Sequence, residues 1–317
     1  MTNNDDYLRE LYGLPVFGFP GADRTGELPD PASVAWRISV DSYGADEEWE
    51  EAFARFTASV DTTGVRALIV GSWSEAYESA SDPIVSALVA ARDRLPGLRA
   101  LFIGDMISQD CEISWITQGA LTPLLDAFPG LEEFGARGGA GLVFPAVRHE
   151  RLRSLTIETG GLDAEVVRGI GASDLPSLES LDLWLGTDEY GANTNVSDLE
   201  PILAGSRLPR LRHLALRNSD IQDEIATALS GAPVVARLES LDLSMGTLGD
   251  EGAEALLAGQ SLTHLKRLDL HHHYVGEETR ARLLSTLGAA GVEVDLSEVE
   301  EPEEWDDEEH RYVAVAE

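Results

Sequence analysis

The stretch RLESLDLSMGTLGDEGAEALLAG, Arg237–Gly259, decides how the rest of the chain is read. Leu238, Leu241 and Leu243 stand in the pattern LxxLxL, which predicts a short strand that buries alternate residues. Leu248 follows the strand, and Glu251–Leu257 reads as a short helix with Ala253, Leu256 and Leu257 on one side. The same order of strand, turn and helix starts again at Leu265. A unit of this kind cannot bury its apolar face alone and must stack on copies of itself.

Working outward, the fourth position of LxxLxL recurs at Ile38, Leu68, Leu101, Phe134, Leu155, Leu181, Leu214, Leu241, Leu268 and Val294. The steps are 30, 33, 33, 21, 26, 33, 27, 27 and 26 residues, so the second half is the more regular. Each strand is followed by a candidate helix, the good cases being 47–58, 83–94, 164–170, 198–204, 222–229, 251–257 and 277–287. Ser197 with Glu200 gives a capping-box pattern at the start of one of them. Four strands are entered through a proline (Pro96, Pro129, Pro176 and Pro209), which is tolerated before the first ladder hydrogen bond. Strand and helix in alternation imply an α/β solenoid, with parallel strands on the concave side and helices on the convex side.

The segments LPRLRHLALRNSDI, RLESLDLSMGTL and HLKRLDLHHHYV resemble leucine-rich repeats of the ribonuclease-inhibitor-like subclass, over roughly residues 30–296. GLEEF, ETGGL and LESLDLWLGTDEYG also resemble uncharacterised bacterial cytoplasmic leucine-rich-repeat proteins, some of which are associated with WGR domains. That resemblance implies no known activity. One departure stands out. The ninth repeat position, usually an asparagine or cysteine that satisfies buried backbone groups, is Met106, Gly139, Gly160, Gly186, Ser219, Gly246 or His273. A weaker internal ladder of side-chain hydrogen bonds is therefore expected.

The two ends break the repeat. Residues 1–30 carry Tyr7, Leu8, Leu11, Tyr12, Leu14, Val16, Phe17 and Phe19, an apolar set that suits an N-terminal cap on the solenoid at 31–297. Residues 298–317 form an acidic tail, with nine acids among the twelve residues Glu298–Glu309. The tail closes on Arg311–Val315, which alternates like a strand. Tyr312, Val313 and Val315 can return to pair with the last strand, bind a partner, or stay loose.

Charge narrows the partners. The 317 residues hold 57 acids against 23 bases, a formal net charge of −34. Such a field repels nucleic-acid phosphates and anionic lipid and favours a basic protein partner, or simply solubility. The single Cys111 permits no internal disulfide, and its neighbours Asp110 and Glu112 disfavour a thiolate. No run of 18 apolar residues is present, so a cytoplasmic protein is expected.

No catalytic motif is found, and no cofactor is expected. The glycines of Gly135–Gly141 lack the lysine and Ser or Thr of a phosphate-binding loop. His271-His272-His273 is a poor metal site, because neighbours on a strand point to opposite faces. The expected function is non-catalytic protein binding through the concave face and one acidic and aromatic rim, where the 33-residue steps place their extra residues. Candidate contacts are Trp73, Tyr77, Asp105, Trp115, Asp182, Trp184, Tyr190, Arg217, Asp242, Asp269 and His271. The alternative is an acidic regulator that sequesters a basic or nucleic-acid-binding protein by charge mimicry.

Overall fold

The structure is a computed structural model that describes residues 6–22, 26–305 and 308–317. Parts of the N-terminal segment (1–5 and 23–25) and of the acidic stretch (306–307) lie outside the described residues. Twelve strands form one sheet whose order follows the sequence. They are β1 (Glu10–Leu11), β2 (Leu14–Gly18), β3 (Ala35–Ile38), β4 (Ala67–Val70), β5 (Ala100–Ile103), β6 (Glu133–Arg137), β7 (Ser154–Glu158), β8 (Ser180–Gly186), β9 (His213–Ser219), β10 (Ser240–Asp242), β11 (Arg267–Asp269) and β12 (Glu293–Asp295). From β2 onward every pairing is parallel, while β1 turns back on β2 as a hairpin.

The anchors from Leu68 to Val294 pair residue for residue across the sheet. The first anchor is corrected. Trp36, not Ile38, faces Leu68, and Ile38 pairs with Val70. Both side chains point inward, because a two-residue slip keeps a strand residue on the same face. Phe17 then faces Trp36, so the N-terminal segment supplies a strand of the repeat itself.

Helices α1 (Trp49–Ser59), α2 (Asp82–Ala90), α3 (Thr122–Ala127), α4 (Ala164–Ala172), α5 (Val196–Ala204), α6 (Gln222–Leu229), α7 (Asp250–Ala258) and α8 (Glu277–Thr286) pack on the convex side. α3 has no counterpart among the sequence-predicted helices. After β6, where the step is only 21 residues, an irregular connection replaces the helix, stitched by isolated bridges such as Thr117 with Ala140 and Ala120 with Val143. The capping box of α5 is Asn195 with Asp198, two residues ahead of the Ser197–Glu200 pattern. Asparagine and aspartate close the same reciprocal pair of hydrogen bonds there.

One continuous core runs from Trp36 to Val292 between sheet and helices. The missing ninth-position ladder is largely replaced from other positions. The carbonyls of Arg137, Trp184 and Leu216 are met by Gln118 (2.7 Å), Thr159 (3.0 Å) and Gln222 (2.8 Å), while the ninth-position His273 itself meets that of Leu296 (3.2 Å). A separate antiparallel hairpin, β13 (Glu303–Trp305) with β14 (Glu308–His310), follows β12.

Candidate functional site

The outward positions of the sheet alternate with the core residues, and at both ends of the molecule they are covered by the chain itself. In the first half the bed is Ala35, Ala67, Ile69, Ala100 and Phe102. Its alanines let Leu11 lie flat on it, with Leu8, Leu14 and Val16 alongside. The Phe102 ring in turn reaches over Gly135, where any Cβ would strike it. The segment is pinned by Leu8 N–H to Asp105 (3.0 Å) and Tyr12 N–H to Glu133 (3.1 Å), and the Arg37 guanidinium sits 4.0 Å over the Tyr7 ring.

In the second half the segment 311–317 lies across the C-terminal ends of the strands rather than beside β12. Val315 packs into a well made by Ile113, Trp184 and Met245. The Asn218 amide donates to the Val315 carbonyl (2.6 Å) and accepts its N–H (3.0 Å). The Ala314 N–H donates to the Met245 carbonyl at 2.8 Å, and the Ser114 hydroxyl donates to the Ala316 carbonyl. Tyr274 and His272 hold the backbone of Tyr312, and the Tyr190 hydroxyl donates to the Glu317 carboxylate.

Over the same second half the sheet carries acids in register. Asp182, Asp242, Asp269 and Asp295 occupy one cross-strand row over β8 to β12, broken only by Ala215. Arg217 grips Asp182 with two hydrogen bonds (2.7 and 3.0 Å), lies 3.5 Å from Asp242 and covers the Trp184 ring at 5.1 Å. Burial pushes both carboxyls up, and Arg217 pulls them back. Arg267 bridges Asp269 (2.8 Å) and Asp295 (3.6 Å). Asp269 also takes a 2.8 Å hydrogen bond from His271. Two arginines among four carboxylates leave the row anionic. Deeper between the halves, Arg137 and Glu158 form a buried pair at 2.7 Å.

The rim is the other exposed feature. Trp115 is 55% exposed, and the Tyr43 ring, 65% exposed, stacks on Tyr77 at 5.8 Å. Tyr43 and Tyr7 line a cleft of about 820 Å³ with Asp41, Asp46, Glu47 and Asp110.

Three expected contact residues are corrected. Trp73 is buried in the main core with its indole N–H on the Ser79 carbonyl (2.8 Å), because the loop that carries it folds inward. Asp105 is sealed against Arg37 (2.8 Å), where burial pushes its carboxyl up and the guanidinium pulls it back. Trp184 is 1% exposed, closed off by Val315 and Arg217. Tyr77, Trp115 and Tyr190 are on the rim, while Asp182, Arg217, Asp242, Asp269 and His271 are on the sheet face. Burial pushes the Cys111 thiol up to about 11, reinforced by Glu112 and Asp110. The three consecutive histidines go separate ways, His271 to Asp269, His272 to Tyr312 and His273 into the core. No group of three or more His, Cys, Asp or Glu among the described residues is placed to hold a metal ion.

Sequence reasoning missed Tyr7 and Tyr43 at the cleft, and Asn218 and Met245 under the tail. The second pair had a signal, because Asn218, Met245 and His272 recur at 27-residue spacing.

The Leucine Rich repeat family profile matches residues 208–230 and 238–257. No curated protein matches. Among solved structures, a protein from Bacteroides fragilis is similar, with 28% identity and a TM-score of 0.74 over 80% of this chain and 71% of that one. Register, core and these matches support a leucine-rich-repeat protein with an α/β solenoid fold. Among the described residues no helix is long and apolar enough to cross a membrane.

Proposed function

We propose that the chain is a non-catalytic protein-interaction scaffold whose partner is a basic protein segment held at the rim cleft. The observation that carries this reading is the rim cleft, where Tyr7 and Tyr43, the latter stacked on Tyr77, stand among Asp41, Asp46, Glu47 and Asp110. Aromatic faces and carboxylates together suit arginine and lysine side chains, through cation–π contact and charge. Exposed aromatics of this kind anchor interfaces. A cytoplasmic location and kinship with bacterial leucine-rich-repeat proteins that accompany WGR domains belong to the same proposal.

The test is capture from a lysate of the source organism at low and high salt, comparing wild type with Tyr43→Ala/Tyr77→Ala/Trp115→Ala. A partner kept at high salt by wild type and lost by the triple variant is expected. The second reading, an acidic regulator that sequesters a basic protein by charge mimicry, draws on the row Asp182, Asp242, Asp269 and Asp295. It predicts instead a set of basic proteins released from both forms by salt, since a complex held by charge weakens as ionic strength rises. That outcome would remove the rim from the account.

A further inference from the structure

The seat beneath residues 312–316 is built to read a peptide main chain. Seven hydrogen bonds go to backbone atoms of the tail, at Tyr312, Ala314, Val315 and Ala316. Only two tail side chains are buried, Val313 and Val315. Such a division of labour, with hydrogen bonds for affinity and wells for alternate side chains, is how an extended segment is recognised.

Three residues of the seat share an uncommon geometry. Asn218 (φ 54°), Met245 (φ 66°) and His272 (φ 53°) occupy equivalent places in successive repeats, and all are left-handed without being glycine. The left-handed region is uncommon for residues other than glycine, and three in equivalent places point to a turn shaped for a purpose. Each also holds the tail, through the Asn218 amide, the Met245 carbonyl and the His272 ring. Opposite them Gly160 leaves room for the Ala316 carbonyl, which a Cβ there would strike.

We propose that this seat is a binding site for an extended segment of a partner protein, with β-branched aliphatic residues at alternate positions and small residues between them. The chain's own Tyr312–Ala316 fills it in cis, and the partner segment enters when that tail swings out. The seat and the rim cleft share no lining residue, so either site can fail its test while the other stands.

The experiment uses the full chain. Val313→Asp/Val315→Asp places two carboxylates in the apolar wells and expels the tail, leaving every seat residue unchanged. The probe is a fluorescein-labelled peptide of the sequence Arg311–Glu317, followed by anisotropy. The double variant is expected to bind it about tenfold or more tighter than wild type, whose tethered tail competes at an effective concentration in the millimolar range. Adding Asn218→Ala should weaken binding about tenfold, as should aspartates at both valine positions of the probe. Equal binding by wild type and the double variant, or none by either, overturns the proposal. A wild-type dimer that the double variant abolishes would overturn it too, by assigning the seat to a second copy's tail. Should the double variant lack a cooperative melt, hydrogen exchange of wild type decides. The Ala314 and Val315 amides are expected to exchange about a hundredfold or more faster than that of Leu241, by local opening. Exchange only through global unfolding makes the tail a structural staple and overturns the proposal.

Discussion

The two coverings of the sheet face differ in what holds them. Over the first half, leucines lie on a bed of alanines, and the Phe102 ring fills the space above Gly135. Over the second half, two valines and a series of backbone hydrogen bonds hold a tail across the strand ends. Apolar burial contributes in proportion to area and is lost in full when a side chain is cut back. Hydrogen bonds to an extended segment exchange with water at a net of about 1 kcal/mol each, so such a segment can leave and return. The first covering is therefore held by buried area, and the second mainly by main-chain hydrogen bonds of the kind a partner segment could make in its place.

The largest effect that would break this contrast is expected at Phe102. Phe102→Ala should cost about 3–5 kcal/mol in urea unfolding, and Leu11→Ala about 2–5 kcal/mol. A loss under about 1 kcal/mol at both would show the N-terminal covering to be as loose as the tail. Next comes Gly135→Ala, which pushes a methyl into the Phe102 ring and should cost about 1–3 kcal/mol by overpacking. Val315→Ala should cost only about 1 kcal/mol. Because the two clusters share no residue, the Leu11→Ala/Val315→Ala double variant should be additive within about 0.5 kcal/mol. Strong coupling would mean that the halves are not independent.

The contrast also marks how far the sequence could be read. From Leu68 on, the leucine pattern placed each strand in register, because one-residue errors would turn core leucines outward. Ile38 was taken for Trp36 because a two-residue slip leaves the same face buried, so the pattern carries no penalty. The two ends were legible as apolar segments able to cover the solenoid, but not where each of them lands. Val315 meets Asn218 across 97 residues, and Tyr12 meets Glu133 across 121. Periodicity says which face of a strand is buried, and it is silent on which free segment folds over the other face. That is why Trp184 looked exposed. Among the candidate residues, loop lengths put Tyr77 and Trp115 outside the core, and both are exposed. The inward turn of Trp73 left no such sign, because it depends on how its loop folds back onto the main core.

The smallest expected effect, and the sharpest on the tail side, is the pH response of His271. Its carbonyl accepts the Met245 N–H at 2.8 Å, so it supports the strained turn on which the tail rests. The hydrogen bond to Asp269 raises the imidazole pKa above its ordinary 6.5, against burial that lowers it, with Asp242 and Glu298 adding in the same sense as Asp269. Burial raises the Asp269 carboxyl, but His271 and Arg267 outweigh it and hold the group at about 2, against an ordinary 3.8. The signs then fix the window. The histidine's contribution is complete below pH 6.5 and is lost as pH rises through its raised value. The aspartate's contribution is present above pH 3.8 and is lost as pH falls towards about 2. The stability difference between wild type and His271→Gln should therefore peak at about pH 5, at about 1 kcal/mol, and shrink by about pH 9. Urea midpoints across that range measure it. A difference that grows with pH would show that His271 is held neutral, with Asp269 kept ionised by Arg267 alone.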